Sequence, residues 1–215
     1  MGAVKTLPVT AVLATALLTA LLATGCSSGG KKVAATPPAK PAPARCAHPA
    51  GWQKLANRIG APVYCPGWLP DPLIGQVGGR WNNIDSVSKD RSYLESFVWQ
   101  DVDIGGTSGE LHVNLRGYPG RKAIPICRTG GAGSQDVPCF ADPHGTLHAN
   151  GIDATLYTVN QDADQWHLLY AWHANGGLYT VSEHLAPPLT YKHLLQYLKR
   201  ELGSLVLIRP QTAAT

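Results

Sequence analysis

The chain lacks an apolar run long enough to cross a bilayer as a helix. Its longest, Leu7 to Leu22, has 16 residues, against the roughly 20 that a hydrocarbon core requires. It is also poor in charge, at 15% Asp, Glu, Lys and Arg, and holds two Phe and one Met, so bulky core positions fall to its Trp and Tyr residues. No internal repeat is visible, which excludes a solenoid or propeller. There is no H-E-x-x-H, which excludes the common helical zinc-protease signature, and no G-x-S-x-G nucleophile elbow. Ser108 lies in a Gly-rich turn sequence instead. Gly-Gly pairs are not followed by Lys-Ser/Thr and a helix, which excludes a P-loop. The formal charge of +4 does not mark a nucleic-acid surface. Lys5, Lys31, Lys32, Lys40 and Arg45 precede the globular part, leaving it 13 basic against 14 acidic residues, near −1. A nucleic-acid footprint needs clustered positive charge on the domain itself.

What is present begins with the N-terminus. Lys5 followed by a short apolar stretch reads as a secretory signal region. Leu22-Ala23-Thr24-Gly25-Cys26 resembles the lipobox of bacterial lipoproteins, with a small residue before the cysteine; Ala23 departs from the Leu commonest at that place. The resemblance implies a signal peptide over 1–25 and a diacylglyceryl group, with acyl chains such as palmitate, on Cys26. It also implies lipid anchoring on the extracytoplasmic side of the cell membrane, a disulfide-permissive compartment. The chain has five cysteines; with Cys26 lipidated, Cys46, Cys65, Cys127 and Cys139 remain to pair. Residues 26–45, SSGGKKVAATPPAKPAPAR after the cysteine, read as a tether. Its 19 residues span about 22–26 Å as a coil and further where Pro and Ala favour polyproline II. Lys31 and Lys32 suit anionic headgroups or simple solvation of the linker.

Residues 46–210 read as one domain, followed by a tail over 211–215. Trp52, Leu55, Ala56 and Ile59 recur at helical spacing before Gly60 and Pro62, predicting a short helix from Pro49. Four cysteines permit three pairings; Cys46–Cys65 and Cys127–Cys139 each enclose one compact segment. Ala61 to Pro70, APVYCPGWLP, is too proline-rich for a central strand or helix. It resembles the entry segment of extracytoplasmic bacterial domains of unknown function, some carried on anti-sigma factors. That likeness extends loosely to the last hairpin and helix and carries no site residue.

Strands dominate from Gly75 to Leu185. Tyr93 to Val102 alternates, with Tyr93, Phe97 and Trp99 on one side and Leu94, Ser96 and Val98 on the other. Leu111, Val113 and Leu115 alternate against His112 and Asn114, and Gly105 to Gly109 between these runs predicts a hairpin. Arg121 to Asn150 reads as an irregular loop closed by a Cys127–Cys139 bridge. Asn175-Gly176 predicts a type I′ turn joining Gln165–Ala174 to Gly177–Leu185. In that register Trp172 faces Tyr179, Tyr170 faces Val181 and Trp166 faces Leu185 on an aromatic, core-like side, with Glu183 near its edge. The other side, with His167 opposite His184, is expected to be small, polar and half-exposed. After Ala186-Pro187-Pro188, Thr190 caps a helix with an apolar stripe of Tyr191, Leu194, Leu195, Leu198 and Leu202, and Gly203 as C-cap. The fold class is therefore α+β: a mainly antiparallel β-sheet with an N-terminal short helix and a C-terminal helix packed on one face.

Candidate chemistry is sparse. His167 and His184, directly opposed, are close enough to share a metal, zinc being the natural choice. A third ligand is required, and His112 and His173 are the candidates. His144 and His148 are four apart but in a loop sequence. Asp101/Asp103 and Asp162/Asp164 sit at strand ends or turns, where Asp is favoured conformationally. Trp68 and Trp81, in Pro/Gly surroundings, are candidates for exposed binding aromatics. No catalytic residue and no resident cofactor is assigned. The expected function is a non-catalytic envelope binding or interaction module, its partner an envelope protein or cell-wall component. The alternatives are an envelope enzyme or metal-dependent hydrolase on the histidine-bearing face, and a hydrophobic-ligand (lipid) binder.

Overall fold

The computed structural model describes residues 45–71, 73, 87–101, 109–130, 133–187 and 189–211, all within the compact unit Ala42–Thr215. Cys26, the signal and tether segments up to 44, Trp81, Ser108 and Asp103 lie outside the described residues. Among the described residues no helix is long and apolar enough to cross a membrane.

The architecture is α+β. A six-stranded antiparallel sheet has the order β2-β3-β9-β8-β7-β6, from β2 (Tyr93–Asp101), β3 (Gly109–Pro119), β6 (Phe140–Ala149), β7 (Ile152–Asn160), β8 (His167–Ala174) and β9 (Gly177–His184). Two small two-stranded sheets flank it: β1 (Val63–Cys65) with β10 (Val206–Ile208), and β4 (Ile126–Arg128) with β5 (Asp136–Pro138). The two α-helices described from end to end are α1 (Pro49–Ile59) and α2 (Tyr191–Ser204). Both lay their apolar stripes on one sheet face: Trp52, Leu55, Leu194, Leu198 and Leu202 are buried with Val113, Leu115, Val181 and Trp172. Removal of that much apolar surface from water is the main stabilising term. Thr190 caps α2, its hydroxyl accepting from His193 N–H at 3.3 Å. The helix runs past Gly203 to Ser204, so Gly203 is not its C-cap, and Tyr191, expected in the stripe, is exposed.

Pairing of β8 with β9 follows the predicted register, His167 opposite His184 and Trp172 opposite Tyr179. Asn175 and Gly176 supply the turn at φ 50° and 74°, as type I′ requires. Trp166 departs from prediction: at φ 65° it leaves the strand and stands 72% exposed. Glu183 keeps the predicted face but lies deep in the core, fully buried.

The second face of the sheet is not half-exposed as expected, because Arg121–Asn150 is not one irregular loop. It forms β4, β5 and the ten-residue β6. Cys127–Cys139 closes the β4–β5 flap and Cys46–Cys65 ties the chain before α1 to β1. The flap side buries Leu169, Ala171 and Leu178 against Tyr118 and Phe140. β10, which no sequence signal marks, gives β1 a partner despite the prolines Pro62 and Pro66 on either side of it.

Candidate metal centre

On the flap side of the sheet, alternation puts His112, Asn114 and Arg116 of β3 beside Ser182 and His184 of β9 and His167 and Leu169 of β8. The β3–β9 ladder pairs Val113 with Glu183 and Asn114 with Ser182. Its next rung sets His112 across from His184, which itself faces His167. Three adjacent strands, spaced about 4.8 Å apart, thus each contribute one imidazole to a single rung. Ring centroids are 4.9 Å apart for His112 and His167, 5.2 Å for His167 and His184, and 6.4 Å for His112 and His184. One ligand nitrogen from each ring lies within 4.8 Å of the others. Tetrahedral zinc at Zn–N distances of about 2.0–2.1 Å would hold its nitrogens about 3.3 Å apart. The trio therefore needs about 1.5 Å of closure at most, within reach of small side-chain rotations.

The hydrogen-bond network behind the rung sets the tautomer of His167. A short 3-10 turn, Asp162–Asp164, brings buried Asp164 under β9. Its Oδ1 accepts from Ser182 Oγ at 2.6 Å and from Asn114 Nδ2 at 2.9 Å, and its Oδ2 pairs with Arg116 Nε at 2.9 Å. Ser182 Oγ donates to Asp164 Oδ1, so the hydroxyl proton points at Asp164. Ser182 Oγ must then accept from His167 Nδ1, 2.9 Å away, and Nδ1 carries the proton. The Nε2 lone pair is left as the ligand atom, the arrangement that outer-shell carboxylates impose on metal-binding imidazoles. Asn114 is held in turn, donating to Ala163 O and accepting from Ser96 Oγ. Asn160 Nδ2 anchors the backbone, donating to His167 O at 2.6 Å.

Burial, reinforced by His112, His184 and Arg116, pushes the His167 imidazole down to about 3. It is neutral at any physiological pH, as a metal ligand must be. His112 and His184 are half-buried, so the rung opens outward.

The other sequence candidates do not join this cluster. His173 sits at the opposite end of β8, exposed, beside a cavity of about 220 Å³ lined by Phe140, Tyr157 and Leu178. His144 and His148 lie on strand β6, not in a loop, and pair separately with Asp142 at 2.9 Å and Asp153 at 2.6 Å. Trp68 is not a free aromatic: the Arg200 guanidinium stacks 4.2 Å over its ring and Tyr197 meets its edge. Asp162 is exposed and bridges to Arg116 at 3.3 Å. Asp164, which reads as a turn former in Asp162-Ala163-Asp164, is the residue that organises the site. Its only sequence signal is its position three residues before His167. No protein-family model, no curated protein and no solved structure matches the chain.

Proposed function

We propose that the chain is a membrane-anchored lipoprotein whose domain binds one divalent transition-metal ion, zinc above all, through His112, His167 and His184. The observation that carries the reading is the three-imidazole rung with the His167 tautomer set by Ser182 and Asp164. The anchor rests on the lipobox resemblance at Cys26 and on the parity of the remaining cysteines. Three neutral nitrogen ligands suit zinc and leave a fourth position open. Metal binding is favoured over hydrolysis because Asp164, the carboxylate beside the rung, already accepts two hydrogen bonds and pairs with Arg116. It is an orienting group and not a base for metal-bound water. The module's ligand is thus an ion at the cell envelope. Lipid capture inside the fold is disfavoured at the cavity beside the flap, whose 220 Å³ is below the roughly 300–1,000 Å³ of ligand pockets.

Zinc titration by calorimetry tests the reading. A single site of micromolar or tighter affinity is expected, lost in His184→Gln and His167→Gln; no heat in the micromolar range sinks it. For the anchor, Cys26→Ala should abolish labelling by a fatty-acid probe and release the chain from the membrane fraction. Identical fractionation without labelling of either form refutes it.

A further inference from the structure

The cavity of about 220 Å³ beside the flap lies at the end of the sheet away from the histidine rung, walled by Ile124 ahead of β4 and by residues of β6 to β9. Its polarity is graded by depth. Phe140, Ala171 and Leu178 are buried at its floor, Thr155 and Tyr157 are half-buried on its wall, and Asp153 and His173 are exposed at its mouth. Strand pairing builds that mouth. The β6–β7 ladder sets His148 opposite Asp153, and the β7–β8 register, which pairs Thr155 with Ala171, reaches His173 across from Asp153 when continued by two residues. His173 in turn faces Leu178 on β9. Deeper in, the Phe140 and Tyr157 rings meet edge to face at 4.9 Å, so the inner wall is aromatic. Both cysteines of the Cys127–Cys139 bridge pack in the same cluster, which fixes that wall in place.

Size and charge select the occupant. A dry cavity of about 150 Å³ accepts a benzene ring, so this one has room for a single ring with a short arm and falls below what a lipid needs. Among the described lining residues Asp153 is the one acid, and neither Lys nor Arg is present. Its Oδ1 is held by His148 Nδ1 at 2.6 Å, which fixes the carboxylate and leaves Oδ2 for a donor. A sugar would bury hydroxyls against Phe140 and Leu178, which cannot pair them, and an anion would be repelled by Asp153. We infer that the cavity binds a small arylalkyl amine, its ring on Phe140, Tyr157 and Leu178 and its ammonium on Asp153 at the mouth. The site is separate from the histidine rung and does not depend on the metal reading. Burial of the ring should gain at least about tenfold over an amine that lacks one. The charge contact, being exposed, should gain only about two- to fivefold over a neutral isostere.

The test uses the full chain in detergent micelles, kept metal-free with EDTA at pH 8, its amide NMR spectrum followed during titration with phenethylamine, 2-phenylethanol, phenylacetate and ethylamine. Phenethylamine is expected to bind with a Kd on the order of 0.1–1 mM and to shift the amides of Thr155, Ala171 and Leu178. The alcohol should bind about two- to fivefold more weakly, and phenylacetate and ethylamine at least about tenfold more weakly. In Asp153→Asn, an exposed position, the amine should fall to the level of the alcohol while the alcohol is unchanged. Thr155→Leu, which fills the cavity, should remove both. No shift by phenethylamine up to about 10 mM, shifts confined to other residues, phenylacetate or ethylamine binding as tightly as phenethylamine, or an amine preference that survives Asp153→Asn overturns the inference and leaves the metal reading standing. Binding that persists in a folded Thr155→Leu chain does the same.

Discussion

Glu95 is a carboxylic acid buried in the core, and replacing it with glutamine should change how stability depends on pH. It lies on β2, on the same face as Tyr93 and Phe97, 2% exposed, and its Oε1 has no hydrogen-bond partner. Burial pushes its carboxyl from an ordinary 4.5 up to about 8. The folded chain keeps this proton between those two values while the unfolded chain releases it. The contribution to stability is therefore complete below about pH 4.5 and is lost as pH rises, at about 1.4 kcal/mol per pH unit, until about pH 8. Between about pH 5 and pH 7.5 the wild type should lose about 3 kcal/mol through this group alone. Glu95→Gln keeps the shape, cannot ionise and removes that slope. Urea unfolding at the two pH values is the assay. The wild-type midpoint should fall relative to the variant by about 1–2 M over the interval, given a urea dependence of about 2 kcal/mol per M. Midpoints that move in parallel would show Glu95 to be ionised or partnered in the folded chain and would refute the reasoning.

Asp164→Asn keeps the volume of the orienting group but puts a donor or a neutral oxygen against Ser182. Loosened control of the His167 tautomer should weaken zinc binding by about 10–100-fold in calorimetry, with the thermal transition still cooperative. Removing the flap staple with Cys127→Ser and Cys139→Ser, whose bridge spans 12 residues, should cost about 3 kcal/mol in chemical denaturation. It should also raise amide exchange at Leu169 and Leu178. Gly117→Ala should cost about 1–3 kcal/mol, measured as a lowered melting temperature. A Cβ there would lie 2.7 Å from Cζ of Tyr93, a ring only 2% exposed and unable to swing away.

The helices and the β8–β9 register were legible because they rest on local chemistry: helical spacing at Trp52 to Ile59, a hydroxyl cap at Thr190, and an Asn-Gly turn. That register made His167 and His184 neighbours in advance, and His112 entered as one of two third candidates. Two things were not legible. The first was burial of the histidine side, because the cover over Leu169 and Leu178 comes from β4 to β6, whose Gly and Pro content reads as loop. The second was the role of Asp164. A turn carboxylate looks the same in sequence whether it faces water or an imidazole, and only tertiary placement under Ser182 distinguishes them. Glu183 and Glu201 make the same point from inside the core. Both carboxyls are pushed up by burial, that of Glu201 further by Glu183, and no pattern of apolar residues predicts an acid pair between β9 and α2.

A ligand set carried one histidine per strand has a consequence for how the sheet is assembled. In a β-strand a slip of one residue sends every side chain to the other face. Displacing β3, β9 or β8 by one position would therefore remove its imidazole from the cluster altogether. Metal affinity then becomes a readout of correct strand alignment: an ion at the outer end of the sheet would stabilise only the arrangement in which β3 and the β8–β9 hairpin have met at the right rung.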